Sequence, residues 1–243
     1  MRGKRSTLRR LEELGRGIYA KILTQRLPVR HRKELLRSAR DSKAQLFQDL
    51  FVLSEVGFKT GGYFVEFGAT DGVDLSNTYM LEKNFGWNGI LAEPGRMWHS
   101  ALRNNRTCHI DTSCVWTESN SVLKFNASEF GEYSTIDSFS SSDRHAALRG
   151  SGEKYSVETV SLVDLLGKYG APRVIDYLSI DTEGSEYDIL SSFDFSKYEI
   201  RVITCEHNFT PQRRKIFSLL TEKGYVRKLG GLSLFDDWYV RAQ

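Results

Sequence analysis

The sequence predicts an α/β fold, in which a mostly parallel sheet carries helices on both faces and a basic helical extension precedes it. Strand-like and helix-like segments alternate from Tyr63 to the end of the 243-residue chain, as they do around parallel sheets. The segments at 174–180 and 200–204 are almost wholly apolar, which is typical of central parallel strands. Residues 1–40 hold thirteen Lys or Arg and three acids, a local charge of +10 against +3 for the whole chain.

The first element is an amphipathic helix over residues 8–25, which Pro28 ends. It belongs to a predicted extension over 1–44, and the main domain is predicted over 45–243. Its apolar side chains recur at three- and four-residue steps, a helical period. They are Leu11, Leu14, Ile18 and Ile22, widened by Leu8, Tyr19 and Leu23.

Two interpretations of this extension remain open. Its apolar stripe packs on the main domain and leaves a solvated basic face, or the helix lies on an anionic membrane or an acidic partner. Nucleic acid is not an expected partner, because the extension lacks interleaved aromatic residues and any named binding motif. No segment approaches the roughly 18 apolar residues of a membrane helix, and the N-terminus lacks a signal-peptide core. We therefore expect a cytoplasmic protein whose membrane association, if any, uses the extension.

The elements of the main domain follow in order. A helix is predicted over 43–56, and Gly61-Gly62 separates it from the first strand, YFVEF. The closing segments YVRKLG and LSLFDDWYVRA are joined by a few residues around Gly230-Gly231, which predicts an antiparallel hairpin. Residues 128–153 are Ser-rich and irregular. Between them, strands are predicted in GILAEP, TCHIDTSCVW, SVLKFN, YSVETVSL, VIDYLSID and EIRVITCEHN, and helices in NTYMLEKNFG, RMWHSALRNN, VDLLGKYG, SEYDILSSF and PQRRKIFSLLTEKG.

The loop after the first strand is the first candidate binding segment. It reads Glu66-Phe67-Gly68-Ala69-Thr70-Asp71-Gly72, so its glycines have a G-x-x-x-G spacing rather than the dinucleotide pattern G-x-G-x-x-G. A pyrophosphate binds backbone N–H groups and is repelled by a carboxylate. Glu66 therefore favours a ligand with a positively charged ammonium or sulfonium group, and a plain strand-to-helix turn is the alternative.

Glu93, at the end of the second strand, extends this argument. It follows Gly72 by 21 residues, near the spacing at which an acid binds the two hydroxyls of a ribose. Alone it could be an ordinary surface acid. Together with the loop it indicates an adenosine that carries a cationic group other than phosphate, and S-adenosylmethionine is the candidate cofactor.

Two later strand ends bring further acids to the same edge. Methyl transfer to a hydroxyl needs either a base, for which His207 is a candidate, or a divalent cation that lowers the hydroxyl pKa. The oxygen ligands Asp181, Glu206 and Asn208 suit Mg²⁺ or Mn²⁺. Two alternatives stay open: Asp181 and Glu183 cap the helix that follows, and His207 is structural.

Four motifs, GGYFVEFGATDGVDLSNTYMLE, GILAEP, LSIDTEGSEYDIL and ITCEHN, occur in this order. In this respect the chain resembles the FkbM-type S-adenosylmethionine-dependent methyltransferases. The resemblance runs from about Gln45 to the end and leaves the basic extension outside. It implies a Rossmann-like class I methyltransferase with a seven-stranded, mostly parallel sheet whose last strand is antiparallel. It also implies methyl transfer to a hydroxyl oxygen of a sugar or a natural product.

The resemblance assigns roles to individual residues. Glu93 would hold the ribose, and the acids would face the acceptor, similar to the metal-dependent catechol-type O-methyltransferases, where acids on the same two strands hold Mg²⁺. The implied cofactor residues are Glu66, Gly68, Ala69, Asp71 and Gly72 for the methionine part, Asn77 and Thr78 close by, and Asp111, Ser113 and Val115 toward the adenine. The implied acceptor-side residues are Asp181, Glu183, Glu206 and His207.

The leading functional hypothesis is an O-methyltransferase that acts on a saccharide, kept near a membrane by the basic helix. Residues 128–153, with Tyr133, His145 and Arg149, would form an acceptor-side lid, and an ordinary surface loop is the alternative. Other hypotheses are methylation of a small natural product, an NAD-linked oxidoreductase, and a non-catalytic binding module. The missing G-x-G-x-x-G disfavours the oxidoreductase.

Overall fold

The computed structural model describes the backbone of residues 2–242 and the side chains of residues 14–242, and it has the predicted α/β architecture. Strands and helices alternate along the chain. The strands are β1 Tyr63–Phe67, β2 Asn88–Ala92, β3 His109–Asp111, β4 Cys114–Trp116, β5 Val122–Ala127, β6 Thr135–Ile136, β7 Glu153–Ser161, β8 Val174–Ile180, β9 Glu199–Glu206, β10 Tyr225–Lys228 and β11 Asp236–Arg241. The α-helices are α1 Arg2–Arg26, α2 Arg32–Ser38, α3 Gln48–Glu55, α4 Tyr79–Phe85, α5 His99–Asn105, α6 Leu162–Lys168, α7 Glu186–Ser192 and α8 Gln212–Glu222.

The main sheet has seven strands in the order β10-β11-β9-β8-β1-β2-β3. Strand β1 pairs in parallel with both β2 and β8, and β8 pairs in parallel with β9. The last strand, β11, is antiparallel to β9 and β10, so the predicted mostly parallel sheet with an antiparallel last strand is confirmed. The chain runs outward from β1 in one direction and from β8 in the other. The crevice beyond the carboxyl ends of these two strands is therefore the expected ligand site.

Both faces of the sheet are covered, because its central strands are apolar on both sides. One buried cluster joins inward residues of β1, β8 and β9 to helices α6, α7 and α8, with Leu165, Ile189 and Leu220 fully buried. The other joins the opposite face to α1, α3, α4 and α5, and it includes Phe51 and Trp238 with ring centroids 4.8 Å apart. The sheet is thus held between two helical layers.

A second, four-stranded sheet in the order β4-β7-β5-β6 was not predicted. The segment TCHIDTSCVW, predicted as one strand, divides into β3, which stays in the main sheet, and β4, which pairs in parallel with β7. Strand β5 then pairs antiparallel with β7 and β6. These segments were predicted as strands, but the change from one sheet to the other at residues 112–113 leaves no local signal in the sequence.

Helix α3 is shorter than the predicted helix over 43–56. It begins only at Gln48, because the preceding Phe47 has a left-handed backbone with φ 58°. Residues 44–47 form a turn, and Ala44 makes a parallel bridge with Leu75. This turn reaches the candidate site, to which it contributes Gln45.

Helix α1 packs on the domain through the edge of the predicted stripe that carries Tyr19 and Leu23. Ala20, Leu23 and Leu27 are buried in the domain core, and Tyr19 donates a hydrogen bond to the carbonyl oxygen of Leu232. The predicted stripe is instead exposed at Leu14, Ile18 and Ile22. The side chains of Leu8 and Leu11 lie outside the described residues. The sequence period identified the helix, but two apolar faces competed for the core and the pattern alone could not rank them.

The guanidinium of Arg16 fastens α1 to the turn before α3. It donates hydrogen bonds to the carbonyl oxygens of Ala44 at 3.0 Å and Ser42 at 3.3 Å, and it lies 4.4 Å from the ring centre of Phe47.

No helix among the described residues has the length and the apolar character that crossing a bilayer requires.

The division into an extension over 1–44 and a domain over 45–243 remains a prediction, and the inner face of α1 gives a test of it. Replacement of fully buried Leu23 by Ala should lower the free energy of unfolding of the whole protein by about 2–5 kcal/mol, as for other core leucines. Replacement of Ile22, its exposed neighbour, is the matched control and should change that energy by less than about 0.5 kcal/mol. Urea unfolding measures both, and equal effects would show that α1 is energetically separate from the domain.

Candidate functional site

A solvent-open cavity of about 940 Å³ lies beyond the carboxyl ends of β1, β2 and β8, where the strand order reverses. The main sheet forms its floor, and the second sheet forms one wall. From the main sheet and its loops it is lined by Glu66, Phe67, Gly68, Ala69, Thr70, Asp74, Leu75, Ser76, Asn77, Ala92, Glu93, Pro94, Ser179, Asp181, Thr182, Glu183 and Ser185. From elsewhere it is lined by Gln45, Gln48, Cys114, Val115, Phe125, Gly131, Glu132, Ser134 and Ile136.

The turn after β1 needs glycine at position 68 for two reasons. Its backbone is left-handed, with φ 72°, and a Cβ there would lie 2.0 Å from the carbonyl oxygen of Asp181. The turn is fixed from the other side by Glu93, whose carboxylate accepts hydrogen bonds from the amides of Thr70 at 2.9 Å and Gly95 at 2.6 Å. Burial raises the pKa of Glu93 to about 7, against the effect of these two amides.

Glu66 lines the cavity and also organises the loop that follows. Its carboxylate accepts hydrogen bonds from the amide of Asn77 at 2.7 Å and from the hydroxyls of Ser76 and Thr78. The Arg106 guanidinium lies 3.9 Å away and is fully buried. Glu66 therefore has a structural role, and its predicted contact with a cationic ligand stays a prediction.

Half of the predicted site residues line the cavity. They are Glu66, Gly68, Ala69, Asn77, Glu93, Val115, Asp181 and Glu183, and those that do not are Asp71, Gly72, Thr78, Asp111, Ser113, Glu206, His207 and Asn208.

The placement of Asp111 differs from the expected approach to an adenine. Its carboxylate accepts hydrogen bonds from Lys168 at 2.7 Å, Tyr169 at 3.1 Å and the amide of Ser113 at 2.8 Å. Asp111 thus connects β3 to α6. The residues of this part of the chain that line the cavity are instead Cys114 and Val115, in β4. The second sheet causes this shift, because the chain leaves the main sheet directly after Asp111.

The acids after β8 and β9 come together as predicted. Asp181, Glu183 and Glu206 each place a carboxylate oxygen within 4.8 Å of the others. The amide group of Asn208 donates to Glu206 at 2.8 Å and to Glu183 at 3.2 Å, and its own oxygen is buried without a partner among the described residues. These oxygen atoms form a candidate divalent-cation group.

His207 does not face this group, which corrects its predicted placement on the acceptor side. His207 follows the last residue of β9, and its ring lies near Asp237. Asn208 has a left-handed backbone, with φ 42°, and its side chain contacts Glu206 and Glu183 instead. The Nδ1 atom of His207 accepts a hydrogen bond from the amide of Phe209, and its Nε2 lies 3.8 Å from Asp237. Burial lowers the pKa of His207. The structural interpretation of this histidine therefore fits its surroundings.

Helix capping, the alternative role for Asp181 and Glu183, is not observed, because the N-cap residue of α7 is Ser185 and it makes no side-chain cap hydrogen bond. Glu186 accepts hydrogen bonds from the amides of Thr182 and Gly184, both at 3.0 Å. Glu183 instead has a left-handed backbone, with φ 58°, and such a conformation in a non-glycine residue stores strain. Asp181 and Glu183 are therefore not needed to cap α7.

The Ser-rich stretch 128–153 is attached to the acidic group through one arginine. The buried guanidinium of Arg149 pairs with Asp143 at 2.8 Å and with Glu183 at 2.6 Å, and it donates to the carbonyl oxygen of Tyr133 at 2.6 Å. The ring of His145 stands 3.4 Å from Glu183. Gly131, Glu132, Ser134 and Ile136 of this stretch line the cavity, so it covers one side of the site.

The charge of the cavity is one-sided. Among the described residues that line it, six are acids and none is Lys, Arg or His: Glu66, Asp74, Glu93, Glu132, Asp181 and Glu183. Burial, followed by the charges of its neighbours, raises the pKa of Glu206 well above its usual value, and burial raises that of Asp181 to about 7. A cavity of this kind favours a cation-bearing ligand and disfavours a phosphate.

Sequence reasoning missed several lining residues. Gln45 comes from the turn before α3 and Gln48 begins that helix, whereas Phe125 and Ile136 come from the second sheet. No strand end or glycine turn marks these positions in the sequence. Only the bridge of Ala44 to Leu75 and the pairing of β5 with β6 bring them to the cavity.

Comparison with known proteins gives one family. A family model described as the methyltransferase FkbM domain matches residues 66–227. Among solved structures, the methyltransferase FkbM of Methylobacillus flagellatus KT is similar to this chain with a TM-score of 0.50 and 12% identity. This similarity covers 91% of this chain and 58% of that one, and at such identity it shows the fold alone. The precorrin-6y C5,15-methyltransferase of Geobacter metallireducens GS-15 has a TM-score of 0.40 and 11% identity over 79% of this chain and 85% of that one. No curated protein matches the sequence.

Asp49, close to Glu66 beneath the cavity, gives a pH prediction. Burial raises its pKa to about 7, and Oδ2 has no partner among the described residues. A raised folded-state pKa contributes stability that is complete below the usual value of 3.8 and is lost as pH rises through about 7. Thermal unfolding should therefore show Asp49→Asn gaining roughly 2–4 kcal/mol relative to wild type between pH 4.5 and pH 8, because each pH unit between the two pKa values corresponds to about 1.4 kcal/mol.

The control for this measurement is Glu222→Gln, at an exposed position of α8. Its stability difference from wild type should not vary with pH. A pH-independent difference for Asp49→Asn would contradict the raised pKa.

Proposed function

Because this chain belongs to the FkbM methyltransferase family, we propose that it is an S-adenosylmethionine-dependent O-methyltransferase whose acceptor is a sugar hydroxyl. The observation that carries the cofactor proposal is the cavity lined by six acids and, among the described residues, by no basic side chain. When bound, S-adenosylmethionine supplies a methyl group activated by a sulfonium cation. A dinucleotide with two phosphates would meet repulsion at the same place.

The two ends of the cavity fit the two ends of such a cofactor. Val115, Phe125 and Ile136 form an apolar wall that suits an adenine ring. Glu93 stands between that wall and the turn at Gly68, where its carboxylate can accept hydrogen bonds from ribose hydroxyls. We assign Glu66 and Asp181, which also line the cavity, to the sulfonium end of the cofactor.

On the acceptor side, Asp181 is the residue we assign to receive the hydroxyl proton when no divalent cation is bound. It lines the cavity, and its pKa of about 7 is close to the value that serves a general base at neutral pH. His207 has no access to the cavity. Gln45, Gln48 and Glu132 offer amide and carboxylate groups, which are the groups that bind sugar hydroxyls.

Titration calorimetry with S-adenosylmethionine and, separately, NAD tests the cofactor proposal. Wild type should bind S-adenosylmethionine and show no NAD binding. Glu93→Gln should weaken S-adenosylmethionine binding at least about tenfold, because a good charge-assisted hydrogen bond contributes about 1.5–3 kcal/mol. Glu158→Gln, at an exposed position of β7, is the matched control and should bind like wild type. Tight NAD binding without S-adenosylmethionine binding would falsify the proposal.

We further propose that Asp181, Glu206 and Asn208 hold Mg²⁺ or Mn²⁺, with Glu183 beside them. The support is that Asp181, Glu183 and Glu206 place carboxylate oxygens within 4.8 Å of one another, while the arginine at this group pairs with Glu183. The side-chain oxygen of Asn208 is also buried without a partner among the described residues. The cation, when present, would lower the pKa of a hydroxyl bound to it.

Electron paramagnetic resonance of added Mn²⁺ tests the cation site without cofactor or acceptor. Wild type should bind Mn²⁺ stoichiometrically, and Asp181→Asn should weaken that binding at least about tenfold through the loss of a carboxylate ligand. Asp188→Asn, on the following helix, is the control and should retain binding. If free Mn²⁺ is unchanged by wild-type protein, the cation site is wrong while the methyl-transfer proposal stands.

A further inference from the structure

The outward face of α1 is a line of exposed apolar side chains. Leu14, Ile18 and Ile22 are 62%, 52% and 42% exposed, and they stand four residues apart. At about 100° per residue, this spacing places them in one narrow line along the helix. Apolar side chains repeated in this way on a surface indicate a contact rather than chance exposure.

This exposure does not come from a loosely attached helix. The inner face of α1 is buried at Ala20, Leu23 and Leu27, and Arg16 and Tyr19 hydrogen-bond to the domain. The helix is therefore held by one apolar face and presents a second one outward.

Basic side chains border the line. By the same helical spacing, Lys21 lies on one side of it and Arg26 on the other, and both are exposed. The segment that follows continues this charge, and its exposed acids are Glu34 and Asp41. The exposed basic residues there are Arg30, Lys33, Arg37, Arg40 and Lys43.

We propose that the outward face of α1 docks on an anionic lipid surface. An apolar line with Lys and Arg at its edges is the arrangement of helices that lie in the membrane interface, where apolar side chains enter the acyl boundary and cations meet lipid phosphates. A second copy of the chain fits less well, because the three apolar side chains in the described part of this face offer far less than the roughly 800 Å² per partner of a stable interface. Two such basic faces would also repel each other.

The docked helix is joined to the candidate site through its inner face. Arg16, on that face, donates a hydrogen bond to the carbonyl oxygen of Gln45 at 3.4 Å, and Gln45 lines the cavity. Leu75, bridged to Ala44, also lines the cavity and is 48% exposed. If the proposed function holds, docking through the outer face would keep the enzyme at a membrane surface, where its acceptor would be a sugar.

Vesicle co-sedimentation of the full chain tests this proposal. Wild type should sediment with vesicles of phosphatidylcholine and phosphatidylglycerol, but not with phosphatidylcholine alone, and added salt should weaken the binding. The triple variant Leu14→Ser, Ile18→Ser, Ile22→Ser should lose at least about tenfold in partitioning, since each side chain loses apolar burial. Lys21→Glu with Arg26→Glu should lose a similar factor through charge.

The matched control replaces three exposed apolar residues elsewhere, Val122, Val226 and Leu234, by Ser, and it should sediment like wild type. All variants should melt at the wild-type temperature and bind S-adenosylmethionine as wild type does, so that failure of docking is separate from failure of the proposed function. Absence of wild-type binding to anionic vesicles overturns the proposal, as does unchanged binding of the α1 triple variant. Concentration-dependent dimerisation that this variant abolishes would assign the face to a second copy instead.

Discussion

Mutual repulsion among buried carboxylates is the constraint on which the arrangement of the site depends. Parallel strands deliver their carboxyl ends to one edge, and here those ends carry Glu66, Glu93, Asp181 and Glu206. Burial penalises each charge, and the other acids add to that penalty. The fold supplies counterions from outside the sheet: Arg106 stands near Glu66, and Arg149 pairs with Glu183. Neither arginine lines the cavity, so its charge is left to be balanced by a proton or by a positively charged ligand.

The same counterions explain why the loops have their shape. Arg106 donates to Gly72 and Thr78 besides contacting Glu82, so one buried cation fixes both ends of the loop after β1. Arg149 does the equivalent for residues 133–149 and the loop after β8. Thr70, Glu183 and Asn208 all have left-handed backbones, in keeping with the tendency of strained residues to cluster at binding sites. The amide of Thr70 is held by Glu93, and the carboxylate of Glu183 is held by Arg149.

The sequence predicted most of the main sheet because strand ends, glycine turns and apolar runs are local signals. Those signals also found Glu66, Glu93, Asp181 and Glu183, which lie where strands end. They failed where position depends on non-local pairing. Asp111 and Ser113 do not line the cavity, because the chain moves to a second sheet, and His207 lies beside Asp237, beyond the end of β9. Gln45 reaches the cavity from a turn that is held by Arg16 of α1 and by the bridge of Ala44 to Leu75.

Helix α1 shows why charge and periodicity together say more than either alone. The apolar period of the sequence predicted an amphipathic helix, and its basic composition predicted binding to an anionic membrane or an acidic partner. Packing on the domain and binding to such a partner were treated as alternatives. The described helix packs on the domain through Leu23 and exposes Ile22 on another face, so the first interpretation does not exclude the second. Its inner face stabilises the turn at residues 42–47, which contributes Gln45 to the cavity. The helix proposed to dock through its outer face is therefore the same helix that holds Gln45 at the cavity through its inner face.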